Sequence, residues 1–231
     1  MEHSISIEGP RREIDRRLSA VNISKEFRTE SGRSRVLQDI SFSVGMGDRL
    51  AVLGRNGSGK STLIKILSGL LRPTSGSVIR DLKMSWPMAF GGGFEGALTG
   101  YDNVRFISMI YGAPFKEVFD YVEDFTELGK QLHMDVRFYS DGMKMRLAFA
   151  LSLAISFECY LIDEVMIVGD RKFQKKCEYE IFERRKDCAM ILAIHDTNIV
   201  REFCNSALIL SGGRGRVFSD TALASDIYLT L

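Results

Sequence analysis

One octapeptide limits this chain more than any other stretch. Gly54-Arg55-Asn56-Gly57-Ser58-Gly59-Lys60-Ser61 reads G-x-x-x-x-G-K-[ST], the phosphate-loop pattern. Leu50-Ala51-Val52-Leu53 before it is short and apolar, as a buried strand should be. Leu63, Ile64, Ile66, Leu67 and Leu70 after it fall at helical spacing. A strand end and a helix start on either side set the pattern apart from a glycine-rich turn that matches by chance. Glycines lack the Cβ that would stop backbone N–H groups from converging on phosphate oxygens. The helix start adds unpaired N–H groups and the positive end of its dipole. Gly54, Asn56, Gly57, Ser58, Gly59, Lys60, Ser61 and Thr62 are the expected phosphate contacts, with Lys60 supplying a cation and the Ser61 hydroxyl ligating Mg²⁺.

The 231 residues suffice for one α/β domain with a smaller inserted or appended part. Lys plus Arg is 31 and Asp plus Glu is 30, a balance that offers no general basic field for nucleic acid. Cys159, Cys177, Cys188 and Cys204 are scattered without a CxxC pair and read as reduced thiols, not a disulfide frame or zinc site. The N-terminus is polar and carries no apolar signal segment. The longest mostly apolar run, Leu147 to Phe157, is too short to span a bilayer, so a membrane role is expected to come through a partner.

Met1 to Arg17 is charged and reads as a polar N-terminal extension, either solvated or attracted to anionic lipid. Leu18 to Phe27 and Val36 to Val44 read as strands joined by a loop from Arg28 to Arg35. Phe27 could stack on a nucleotide base or belong to the core. Ser77 to Met84 reads as one further strand, followed by Trp86, Phe90 and the triplet Gly91-Gly92-Gly93. Helices are expected over Tyr101 to Tyr111, Phe115 to Gly129, Gly142 to Ile155 and Lys172 to Lys186. Cys159 to Ile162 and Ala189 to Ile194 read as strands, Thr197 to Cys204 as a helix, and Ala207 to Leu210 and Arg216 to Phe218 as strands about a glycine turn. A parallel crossover needs about a dozen residues. The far longer stretch between Lys60 and Asp163 implies an inserted helical subdomain, about 90–155.

Asp163-Glu164 closes an apolar run, where a first carboxylate could hold Mg²⁺ through water and a second could polarise an attacking water. Two acids capping a strand at a solvent edge would read the same way. His195 follows the next strand, at the end where open α/β sheets place ligand contacts. There it could hydrogen-bond a γ-phosphate and the water. Tyr139-Ser140-Asp141-Gly142-Met143 puts a hydroxyl and a glycine N–H at a helix start, which is either a cap or a second anion site. A second anion site on an insertion points to a nucleotide held between two copies of the chain.

From about Leu18 to the C-terminus the pattern resembles the nucleotide-binding subunit of an ATP-binding cassette transporter. The family's L-S-G-G-Q signature corresponds to Tyr139 to Met143, with Ser140 and Gly142 as its ATP contacts. Asp163-Glu164 corresponds to the Mg²⁺-holding aspartate and the catalytic glutamate, and Val165 to Asp170 to the D-loop region. His195 corresponds to the switch histidine and Phe27 to the adenine-stacking aromatic. The run from Ser85-Trp86-Pro87 through Gly92-Gly93-Phe94-Glu95-Gly96-Ala97-Leu98-Thr99-Gly100 is similar to the ATP-binding subunits of capsular polysaccharide exporters, as are Tyr-Ser-x-Gly-Met and Asp-Glu-Val. Two departures stand out: there is no clear Gln-loop glutamine, Glu95 being the nearest polar residue, and Asp141 replaces the first signature glycine.

The resemblance implies an α/β fold: a P-loop NTPase core with a parallel sheet, an N-terminal antiparallel β subdomain and an inserted α-helical subdomain. It implies residues 18–231 as an ABC ATPase domain that binds ATP and Mg²⁺, pairs head to tail as a homodimer, and hydrolyses ATP with Glu164 and His195 as catalytic residues. It further implies an integral membrane permease subunit as partner, a place on the cytoplasmic face of the bacterial inner membrane, and capsular polysaccharide as cargo. Export of O-antigen or teichoic acid is the alternative within transport. A soluble cassette ATPase and a small-molecule kinase are alternatives outside it, and a kinase leaves Tyr139 to Met143 unexplained.

Overall fold

The computed structural model describes residues 16–30, 32–88, 94–163 and 171–231. Met1 to Asp15, Ser31, the stretch Ala89 to Gly93 with Phe90 and the glycine triplet, Glu164 and the stretch Val165 to Asp170 lie outside the described residues. The chain runs β1 (Arg17–Thr29), β2 (Gly32–Gly45), β3 (Arg49–Leu53), α1 (Lys60–Leu67), β4 (Ser75–Arg80), β5 (Met84–Met88), α2 (Gly100–Tyr111), α3 (Phe115–Thr126), α4 (Asp141–Ala154), β6 (Cys159–Asp163), α5 (Arg171–Glu178), β7 (Ala189–Ala193), α6 (Thr197–Phe203), β8 (Ser206–Ser211), β9 (Arg214–Phe218) and α7 (Thr221–Leu229).

Strand alternation explains the layering. The larger sheet has the order β5-β6-β7-β3-β8-β9 and is parallel except for β9, which runs antiparallel to β8. Successive residues of a strand point to opposite faces. Leu50, Val52, Leu161, Ile191 and Leu208 therefore pack with α1, while Ala51, Leu53, Ile162, Leu192 and Ile209 pack with the remaining helices. Both faces are covered, so these strands read in the sequence as unbroken apolar runs. The smaller sheet, β2-β1-β4, is antiparallel and lays Leu18, Ile23, Leu37 and Ile40 against the buried Leu63, Ile64, Ile66 and Leu67 of α1. The helix that begins at the phosphate loop is thus held between two sheets. The mixed α/β fold, with its parallel sheet and antiparallel N-terminal strands, is the expected one.

Several boundaries differ from the sequence reading. The loop expected over Arg28 to Arg35 is mostly strand, with Glu26 opposite Arg35 and Thr29 opposite Gly32. Arg33 and Arg35 both reach the Glu26 carboxylate, so polar residues here decorate a hairpin instead of marking a loop. The strand expected over Ser77 to Met84 is two: β4 joins the small sheet and β5 the large one, with Leu82 buried at the crossing. Helix α1 stops at Leu67, and Leu70 is 71% exposed; Gly69, at φ 85°, takes the chain out of the helix. The helix expected from Phe115 to Gly129 ends at Thr126, where Glu127 and Gly129 both have positive φ. Arg16 and Arg17, read as the end of the polar extension, are engaged: Arg17 opens β1 opposite Gly45, and Arg16 binds the Glu158 carboxylate.

The helices between β5 and β6 pack on one another and on the sheet. Val104, Val118, Val122, Phe125 and Leu147 are buried together. One polar cluster ties them to the segment after β6. Helix α5 continues as a π-helical turn, Tyr179–Glu183, and this turn buries Glu180. The Glu180 carboxylate accepts from Tyr121 Oη of α3 at 2.9 Å, from Arg184 at 2.9 Å and from Arg185 at 2.9 Å. Arg185 also donates to Tyr160 Oη of β6 at 3.1 Å. Burial works to raise the Glu180 carboxyl, but the hydrogen bonds from Arg184, Arg185 and Tyr121 outweigh it and hold the group below its ordinary 4.5.

Candidate functional site

Parallel strands bring their C-terminal ends to one edge of the sheet. Strand β3 lies between β7 and β8, with Val52 opposite Ala193 and Leu53 opposite Ile209. Asp163 ends β6 opposite the same Ala193. The phosphate loop leaves β3 at this edge, and His195 follows β7 by two residues. Three segments far apart in sequence therefore converge because strand order demands it.

The loop itself can be built only from glycine at key points. A Cβ on Gly54 would lie 2.6 Å from the Leu210 carbonyl and run into the Ser58 hydroxyl. Gly59 has φ 105°, caps α1 from the left-handed region, and a Cβ there would meet Leu37 at 2.9 Å. Among the described residues no side chain caps α1, and its N-terminal end faces the loop, where helix N–H groups can meet an anion. Ser58 Oγ is buried and, among the described residues, has no hydrogen-bond partner. An orphaned hydroxyl, a helix start without a side-chain cap and a loop with no room for a Cβ fit a phosphate chain.

Lys60 is 5% exposed and its ammonium donates to the Gly54 carbonyl at 2.8 Å. That bond arches the side chain back over the loop it follows. His195 Nε2 lies 3.1 Å from the same Lys60 Nζ. Ser61 Oγ lies 3.4 Å from Asp163 Oδ1. A hydroxyl beside a carboxylate oxygen is a hard donor pair, fitting a Mg²⁺ that completes its shell with phosphate and water. Among the described residues no group of three or more His, Cys, Asp or Glu could hold a metal ion. On the other ring nitrogen of His195, Nδ1 is 2.6 Å from Tyr228 Oη of α7.

Other expected site residues lie elsewhere. Phe27 is 37% exposed on β1, with the Lys25 ammonium 5.1 Å from its ring centre, so it is a surface aromatic and not a core one. Ser140 caps α4 and its hydroxyl accepts from Met143 N–H at 3.3 Å. Ser140, Asp141 and Gly142 are all exposed, and a Cβ on Gly142 would meet nothing within 4 Å. Among the described residues no hydrogen bond joins them to the phosphate loop. Tyr139 beside them is buried, donates to the Gln131 carbonyl at 2.6 Å, and burial raises its phenol above the ordinary 10.0. The Glu95 carboxylate accepts from Ala97 N–H at 3.1 Å, closing its own turn. Glu164 lies outside the described residues.

Two site residues escape sequence reasoning. Tyr228 reaches His195 from α7, and Arg55 of the loop donates to the Leu231 carbonyl at 3.0 Å. Helix α7 buries Ala224 and Ser225 instead of large apolar side chains, so it leaves no apolar stripe to read. The signals that could have found it are Asp220, which caps it through Leu223 N–H, and the turn glycines before β9.

Residues 37–166 match the family described as ABC transporter. The capsule polysaccharide export ATP-binding protein CtrD of Neisseria meningitidis is 48% identical over 214 residues, covering 93% of this chain and 99% of CtrD. The ATP-binding protein BexA of Haemophilus influenzae is 47% identical, over 90% of this chain and 95% of BexA. Among solved structures, the dimeric post-hydrolysis cassette MJ0796, bound to ADP and Pi, superposes with a TM-score of 0.75 at 20% identity, over 87% of this chain and 98% of that one. This last likeness is one of fold. No helix among the described residues is long and apolar enough to cross a membrane.

Proposed function

The chain belongs to the ABC transporter family, as an ATP-hydrolysing cassette, and from that premise we propose that it drives export of capsular polysaccharide across the bacterial inner membrane. The observation that carries the cargo is near-complete coverage of CtrD at 48% identity. The expected partner is an integral membrane permease, and the chain would sit on its cytoplasmic face. Residues 18–231 form the ATPase domain in this reading, with the helical insertion at about 90–155 receiving the permease.

Each residue then has a task. Gly54, Asn56, Gly57, Ser58, Gly59 and Thr62 line the phosphates, and Lys60 turns from Gly54 and His195 toward β- and γ-phosphate oxygens. Mg²⁺, held by Ser61 and by Asp163 through water, would neutralise phosphate charge. Glu164 acts as general base on the attacking water, help typically worth about 10²–10⁴ in rate. His195 meets the γ-phosphate, and Phe27 stacks on adenine. Ser140 and Gly142 are exposed and, among the described residues, share no hydrogen bond with the loop of their own chain, as contacts to a second copy's ATP should. The dimeric state of MJ0796 supports that arrangement.

Glu164→Gln tests the reading, because each ATP shared by two chains turns ligand binding into association. The variant should bind ATP, leave it intact and accumulate as a dimer in light scattering with Mg-ATP. Adding Ser140→Arg should abolish that dimer. Hydrolysis by Glu164→Gln at the wild-type rate would sink the base assignment. For the cargo, the wild-type chain should restore surface polysaccharide in a capsulated bacterium lacking its own export cassette, and Lys60→Ala should not. Equal restoration by both chains would refute ATP-driven export.

A further inference from the structure

We propose that Tyr228 is a positioning residue for His195, holding the imidazole through a change of tautomer; the second tautomer rests on the reading of His195 as a γ-phosphate contact. The two ring nitrogens have different partners. Nε2 is 3.1 Å from Lys60 Nζ, and Nδ1 is 2.6 Å from Tyr228 Oη. An ammonium has three donors and no acceptor, so Nε2 must receive the Lys60 proton with its lone pair. A neutral imidazole with a bare Nε2 carries its own proton on Nδ1. The Nδ1–H group therefore donates to the Tyr228 oxygen.

A γ-phosphate oxygen reverses the demand. It accepts, so His195 must offer Nε2–H and leave Nδ1 bare. Tyr228 can serve both states, because a phenol oxygen accepts from Nδ1–H and its O–H donates to bare Nδ1. A carboxylate could only accept there, and a backbone N–H could only donate. One proton leaves Nδ1 and one arrives at Nε2 by exchange with solvent water, which reaches the exposed ring, and net charge is unchanged. The imidazole thus keeps its place while its donor and acceptor ends exchange.

The hydroxyl is held in position from several sides. Asp226 of α7 takes the Arg201 guanidinium of α6, the helix that starts just after His195. Arg55 of the phosphate loop donates to the Leu231 carbonyl at 3.0 Å, beyond the end of α7. Ala224 and Ser225 of the helix itself are fully buried against the rest of the fold. Helix α7 therefore spans the loop, the histidine and α6, with Tyr228 at its inner face.

Imidazole ¹⁵N spectra of the full chain test this directly, since a protonated and a bare ring nitrogen resonate far apart. The chain has three histidines, and His195→Gln identifies the signal. Without nucleotide, wild type should carry the proton on Nδ1; with Mg²⁺ and a non-hydrolysable ATP analogue, on Nε2. Tyr228→Phe keeps the ring and removes the hydroxyl. Its nucleotide-free spectrum should move to an exchanging tautomer mixture, and kcat should fall about fivefold with KM within about twofold, the scale of one lost hydrogen bond. Nε2 protonated in nucleotide-free wild type overturns the proposal, as does a Tyr228→Phe protein with unchanged spectrum and kcat. A fixed Nδ1–H signal that ignores an analogue bound by calorimetry overturns the change of tautomer, refutes the phosphate role of His195 and leaves Tyr228 a static partner of the ring. The wild-type spectra decide the matter even if the variant fails to fold.

Discussion

Replacing Glu180 by alanine should cost the fold about 3 kcal/mol, and the structure says why it is neither one nor five. The carboxylate is 8% exposed and its partner Arg185 14% exposed. Breaking a buried pair from one side typically costs about 3–5 kcal/mol, because the surviving charge stays out of water. Two features pull toward the lower end. Arg185 keeps its bond to Tyr160 Oη, and Arg184, at 55% exposed, can rehydrate. Tyr121→Phe removes one donor and leaves Glu180 held by both arginines, so its cost should be about 1 kcal/mol. With a urea slope of about 2–3 kcal/mol per molar, Glu180→Ala should lower the unfolding midpoint by about 1 to 1.5 M. The pH dependence has a fixed sign. The Glu180 carboxyl titrates below its ordinary 4.5 in the fold, so its contribution is complete above that value and fades as pH falls through the lower, folded one. Equal costs for Tyr121→Phe and Glu180→Ala, or a Glu180→Ala midpoint indistinguishable from wild type, would refute the buried-pair argument.

Two further outcomes are expected. Phe27→Ala should weaken ATP binding in calorimetry by about 1–3 kcal/mol, the scale of base stacking, with an unchanged melting temperature because the ring is at the surface; unchanged affinity would remove Phe27 from the site. If the Asp141 carboxylate faces the γ-phosphate across the proposed dimer, Asp141→Gly should raise ATP turnover of the assembled transporter by removing like-charge repulsion, while costing up to about 1–2 kcal/mol of stability in urea unfolding, through a lost helix-dipole contact and an added glycine; an unaltered rate would leave that carboxylate in solvent.

The sequence made the sheet edge legible because its signals are local. A glycine pattern between a strand and a helix, two acids at the end of an apolar run, and a histidine after the next such run each need only a few neighbouring residues. Parallel pairing then brings Ser61, Asp163, Lys60 and His195 together. What stayed hidden depends on long-range contact. Tyr228 lies 33 positions from His195 on a helix whose buried side is made of small residues. The hairpin through Arg28 to Arg35 was hidden for a related reason. Its described side chains are exposed, so they carry the polar composition of a loop while the backbone pairs as strand.

The strand order bears on how unassembled copies of this chain meet. Among the described residues the larger sheet ends at β5 on one side and β9 on the other, and an open strand is a template on which another chain can pair its own backbone. Pro87 interrupts the donor row of β5, and the exposed Arg214 and Arg216 bring like charges to β9. Two subunits colliding at these rims gain little from merging their sheets. In the proposed dimer their lasting encounter would instead run through the faces that carry the phosphate loop and Ser140, where a shared small molecule would both join them and, once consumed, release them.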